Sequence, residues 1–109
     1  MDSILELASE LGKRIAADPR GLAMMEASKA LEESLPDRKL VEDYDALQLK
    51  MAKLEAGGKP LEPEDKRGLI ELRDKVATSP VLKELLKAQV EYVSLMKNVS
   101  MTIEKSARG

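Results

Sequence analysis

The chain has 109 residues, of which 43% are hydrophobic and 35% charged, and its formal net charge is −2. Without cysteine or histidine it has no disulfide, no thiolate nucleophile, and neither the commonest general base nor the commonest metal ligand. No basic excess gathers phosphates and the two tyrosines are the only aromatic residues, so direct nucleic-acid binding is disfavoured.

The interspersed charges and the length of one domain point to a single soluble helical domain, residues 1–109. Its core must be built from Leu, Ile, Val, Ala and Met. The N-terminus Met1-Asp2-Ser3-Ile4-Leu5-Glu6 carries acids where an export signal carries Lys or Arg, and no apolar run reaches the length of a membrane span. A cytoplasmic protein is expected.

In chain order, residues 3–17 read as a first helix, capped by Asp2 or Ser3, with Ile4, Leu7, Ala8, Leu11 and Ile15 on one face. Asp18-Pro19 ends it and starts a second helix, because Asp accepts free N–H groups and Pro fits the first helical position. That helix presents the small residues Ala23, Ala27 and Ala30, which favour close approach of a neighbour. Ser34-Leu35-Pro36-Asp37 is a kink or a new start. A third helix, Asp37 to Ala56, carries Leu40, Tyr44, Leu47, Met51 and Leu54 at steps of four and three, and Gly57-Gly58 stops it. Glu62-Pro63 restarts the chain, and a fourth helix with Leu69, Leu72 and Val76 is expected to fold back on the third. Ser79-Pro80 opens the long fifth helix, and residues 105–109 read as a frayed tail. Ile15-Ala16-Ala17-Asp18-Pro19 and Val76-Ala77-Thr78-Ser79-Pro80 echo one another, as two helix-bend-helix halves would.

The fifth helix carries the clearest seam: Leu82, Leu86, Gln89, Val93, Met96, Ser100 and Ile103 follow heptad steps. Leu86, Val93 and Met96 are the candidate central packing residues, with Leu82, Gln89 and Ile103 completing the candidate interaction surface. Such a seam serves an intermolecular coiled coil and an internal bundle core alike. The polar Gln89 and Ser100, together with the flanking Leu85, Val90, Leu95 and Val99, favour a dimer or higher oligomer that shares this helix.

Sequence motifs for chemistry are weak. Gly57-Gly58-Lys59 resembles a phosphate loop only superficially, because Pro60 stands where Ser or Thr is needed. The acids Asp43, Asp45, Glu62, Glu64 and Asp65 lack calcium-loop spacing. Lys13 and Arg14 are adjacent and diverge around the helix, which disfavours a dianion site of the chorismate-mutase kind. No catalytic residue, cofactor ligand or metal ligand is assigned.

The Asp18-Pro19 break before Ala27 and Leu31, the turn Gly58-Lys59-Pro60-Leu61-Glu62-Pro63-Glu64, and above all Ser79-Pro80-Val81-Leu82-Lys83-Glu84-Leu85-Leu86-Lys87-Ala88-Gln89 resemble the YlbF/YmcA family of small helical bacterial regulators. The likeness runs from about Ile4 to Ile103. It implies an all-α, self-associating protein that acts through protein partners, in a family connected with competence, sporulation and biofilm formation whose members influence an mRNA-processing endoribonuclease. Some members carry cysteines proposed to hold iron–sulfur clusters; this chain has none. The expectation is therefore an antiparallel bundle of about five helices acting as a non-enzymatic adaptor. A plain oligomerisation scaffold is the alternative, and a small helical enzyme the remote one.

Overall fold

The computed structural model describes residues 2–109 and consists of five α-helices, with no strand among the described residues: α1 Ser3–Ala17, α2 Pro19–Glu33, α3 Leu35–Ala56, α4 Pro63–Thr78 and α5 Pro80–Arg108. The all-α bundle class follows. No helix of the described residues is long and apolar enough to cross a membrane.

Local chemistry accounts for each boundary. Asp2 caps α1 by accepting from the Ile4 N–H at 2.9 Å. At the α1–α2 break, Asp18 serves both helices: its own N–H donates to the Arg14 and Ile15 carbonyls, while Oδ1 accepts from the Arg20 N–H at 2.9 Å. α3 starts at Leu35, two residues earlier than the sequence indicates, because Pro36 falls in the first turn, where its missing N–H breaks no intrahelical bond. Its end is a Schellman cap. Gly58 adopts φ 68°, the Lys59 N–H reaches the Leu54 carbonyl at 2.8 Å, and the Gly58 N–H reaches that of Glu55 at 3.0 Å. At the far end of the chain α5 remains helical to Arg108, past the tail expected from Lys105, with an Arg108–Glu104 pair at 3.3 Å across its last turn.

Asp18 also holds the Arg20 guanidinium, with Nε at 2.8 Å and Nη2 at 3.0 Å. These side-chain hydrogen bonds, followed by the one from the Arg20 backbone, lower its carboxyl to about 2. A depressed carboxyl stabilises the fold above the ordinary carboxylate range, and that contribution disappears as pH falls through about 2. In a carbon-detected titration the Asp18 midpoint is expected near 2. Arg20→Ala should raise it only part of the way to normal, since the backbone donor stays. An unchanged midpoint in that variant would remove the guanidinium as the main cause.

The chain divides into two compact units, one made of the residues to Lys29 with Glu84–Gly109, the other of Ala30–Lys83. In the second, α3 and α4 form an antiparallel hairpin, the most extensive helix–helix contact among the described residues. Leu40, Tyr44, Leu47, Met51 and Leu54 are all half-buried, as are Leu72 and Val76, and Leu69 is buried. Gly68 faces the Leu47 side chain, where an added Cβ would stand at an ordinary 3.9 Å. Near the turn, Lys50 Nζ bonds Asp65 Oδ1 at 2.8 Å, which raises the lysine. Asp65 Oδ2 is buried without a protein partner, and the first turn of α4, where Asp65 sits, favours its negative charge.

The opposite end of this unit is tied by Asp37. Its Oδ1 accepts from the Ser79 hydroxyl at 2.6 Å and its Oδ2 from that of Ser34 at 2.5 Å, while Ser79 Oγ in turn accepts from the Leu82 N–H at 3.2 Å. One carboxylate thereby joins the N-termini of α3 and α5. The Ser34 bond, then the Ser79 bond, lowers its pKa. Asp37→Ala leaves the buried Ser79 hydroxyl without its acceptor, and the thermal midpoint should fall further than in Asp45→Ala, which removes an exposed acid from the same helix. Equal midpoints would show that the network carries no stability.

Candidate interaction surfaces

The first unit holds most of the unpacked apolar surface. Ala27 and Ala88 are buried, and Ala23, Met24, Leu11 and Ile15 are half-buried. Ile4, Leu5 and Leu7 on α1, Leu22 and Met25 on α2, and several α5 residues are exposed. Small side chains are the buried ones here, as expected where backbones approach closely.

α5 carries two apolar stripes. Leu85, Tyr92, Leu95, Met96 and Val99 are half-buried around Ala88, which is only 5% exposed, and they define the inward face. Leu86, Val90 and Val93 stand 63%, 64% and 63% exposed on another face, with Met101 two turns further on. At 100° per residue the sequence seam runs between these two faces, so the packed face lies roughly a quarter turn away from the one heptad counting selects.

The structure separates the six candidate residues accordingly. Leu82 is buried and Met96 half-buried; Leu86, Gln89, Val93 and Ile103 are exposed. Leu86 and Val93 are thus exposed within the single chain, for a simple reason. Gln89 and Ser100 lie on the seam, and turning the helix so that both meet water brings Leu85, Tyr92 and Val99 inward in their place. Heptad spacing registers which residues share a line, and both lines of this helix are apolar.

Three features escaped the sequence. Sequence pattern puts Asp37 only in a helix start, although Ser34-x-x-Asp37 has the spacing of a capping pair. Its bond to Ser79, 42 positions away, has no local signal. Gly21 closes the α1–α2 corner: a Cβ there would lie 2.0 Å from the Ile15 carbonyl oxygen. At the α3–α4 turn an open hollow is lined by Leu49, Lys50, Lys53, Leu54 and Lys59, and Lys50 is already engaged by Asp65. Arg14 pairs with Glu10 at 3.3 Å on the exposed side of α1. Among the described residues no three acids gather as metal ligands.

A chain of the crystal structure of Bacillus subtilis RicA in complex with RicF superimposes with a TM-score of 0.77 at 17% identity, covering 98% of this chain and 96% of that one. At that identity the likeness establishes the fold. The UPF0342 protein LBA1592 of Lactobacillus acidophilus is 25% identical over 105 residues, which span 96% of this chain and 90% of the relative. The family model described as control of competence regulator ComK, YlbF/YmcA, matches residues 4–107, which takes in the five helices apart from Ser3 and Arg108 at their outer ends, and the chain belongs to the YlbF/YmcA family.

Proposed function

We propose that this chain is a non-enzymatic regulatory adaptor of the cytoplasm that self-associates and docks protein partners through helix faces. The observation that carries this reading is the outward stripe of α5, where Leu86, Val90 and Val93 are each about two-thirds exposed although they line one side of a regular helix. Isolated exposed apolar residues are ordinary, but a continuous line of them on a rigid helix is a recognition surface. The fold supports the same reading, since the similar RicA structure was determined in complex with another protein, RicF.

The finer reading, by resemblance to the family, is that the partner complex influences an RNA-processing endoribonuclease. Its test is capture from cell extract with the wild-type chain and with a Leu86→Asp, Val93→Asp double variant as bait, followed by mass spectrometry and transcript mapping in a deletion strain. An endoribonuclease or its accessory protein lost from the variant bait, with altered transcript ends in the deletion, is the expected result. Equal capture by both baits would remove the α5 stripe as the docking face. Unaltered transcripts would remove the ribonuclease connection and leave an adaptor for another pathway.

A further inference from the structure

The hollow at the α3–α4 turn lies wholly within the Ala30–Lys83 unit and measures about 490 Å³. Its apolar wall is Ala46, Leu49 and Leu54. Leu49 is 58% exposed, although Leu47 and Met51 on the same helix are half-buried. One turn beyond Leu49 comes Lys53, and Gly57, the next position of that line, has no side chain, so the hollow opens toward the helix end. Lys59 completes the rim, held by the Schellman cap through its N–H bond to the Leu54 carbonyl at 2.8 Å. Helix and cap are both fixed backbone, so the site is preformed.

We propose that this hollow docks a short acidic segment of a partner protein, with an apolar side chain against Leu49 and Leu54 and flanking carboxylates on Lys53 and Lys59. Such a site rests on the adaptor reading, since it needs a partner, and it gives that partner a chemistry. Charge selects the occupant. Of the three lysines on the rim, Lys50 is committed to Asp65 at 2.8 Å, and Glu62 and Glu64 add to the negative field around it. Lys53 and Lys59 make no ion pair among the described residues. Two uncommitted ammonium groups therefore border the same hollow as an exposed leucine, in a chain whose net charge is −2. A nucleic-acid backbone supplies phosphates but nothing for the leucine wall, and two cations hold it too weakly at ordinary salt. A basic or neutral apolar segment leaves both ammonium groups without a partner. Spacing agrees with the acidic segment: an extended chain repeats about every 7 Å on one side, close to the rise of about 6 Å from Leu49 to Lys53. A leucine and an acid two positions apart match that step.

The test uses the full chain and the peptide fluorescein-Ser-Glu-Ser-Leu-Ser-Glu-Ser-amide, read by anisotropy at low salt and located by amide chemical shifts. Wild type is expected to bind it saturably, with the largest shifts at Leu49, Lys53 and Lys59. Exchanging both peptide glutamates for lysine, or its leucine for glycine, should each weaken binding roughly tenfold. The Lys53→Glu, Lys59→Glu double variant, checked for folding by circular dichroism, should lose the acidic peptide to the same degree and bind the lysine peptide in its place. Both positions are exposed, so the exchange leaves packing untouched. Absence of saturable binding, or shifts centred elsewhere, overturns the site. Equal binding of a single-stranded oligonucleotide, or indifference to the leucine, overturns the peptide occupant and leaves a general anion surface. Loss in the double variant without gain of the lysine peptide overturns the direct pairing of Lys53 and Lys59 with carboxylates. All these results leave the adaptor reading intact, because Leu86 and Val93 are unchanged throughout; that reading fails separately if the Leu86→Asp, Val93→Asp variant loses no partner.

Discussion

Aspartate at both Leu86 and Val93 is expected to leave the chain folded and to abolish its assembly. In the single chain both side chains are 63% exposed, so a carboxylate at either position stays hydrated. The remaining cost is that of helix propensity, below about 1 kcal/mol per site. In an assembly that covers the stripe, the same carboxylates are buried without cations, at several kcal/mol each. Two per copy should weaken association at least about 100-fold, since each 1.4 kcal/mol is a factor of ten. Circular dichroism should therefore match wild type while the mass from light scattering falls to that of one chain. Ala88→Asp provides the contrast: its side chain is 5% exposed on the inward face, so a charge there should unfold the protein outright. If the double variant unfolds as Ala88→Asp does, the stripe belongs to the core. If it folds with unchanged mass, the stripe is not an interface.

The five helices were legible because their boundaries are written locally. Asp18-Pro19, Gly57-Gly58 and Ser79-Pro80 act through capping oxygens, a missing N–H and a left-handed backbone, none of which depends on distant residues. The α3–α4 hairpin was legible as well, since its heptad line meets a single short turn and has one obvious partner. The orientation of α5 was not. That helix has apolar residues on two lines, and the line that packs carries Ala88, 5% exposed, while Leu86 on the other is 63% exposed. Periodicity measures spacing along a helix and contains nothing about its neighbours. The Asp37–Ser79 bond and the Ile15–Gly21 approach were hidden for the same reason, being contacts between elements.

Two glycines in the first thirty residues should respond to alanine with opposite signs. Gly12 lies inside α1 with nothing within 4 Å of an added Cβ. Gly12→Ala there removes the conformational freedom of glycine from the unfolded chain and should stabilise by about 0.5–1 kcal/mol. Gly21, in the first turn of α2, has the same helical propensity to gain. Its Cβ, however, would stand 2.0 Å from the Ile15 oxygen, 3.0 Å from the Ile15 carbonyl carbon and 3.3 Å from the Ala16 Cα. All three are backbone atoms, so no side-chain rotation relieves the overlap. The α1–α2 corner has to open, and with it go the Asp18 bonds to Arg14, Ile15 and Arg20 that fix the break. A loss of about 3 kcal/mol is expected, at the upper end of overpacking costs, outweighing the propensity gain. Chemical denaturation of the two variants decides it: Gly12→Ala should shift the midpoint up and Gly21→Ala down. A shared upward shift would mean that the corner opens at little cost, leaving the Asp18 cap without control over the angle between α1 and α2.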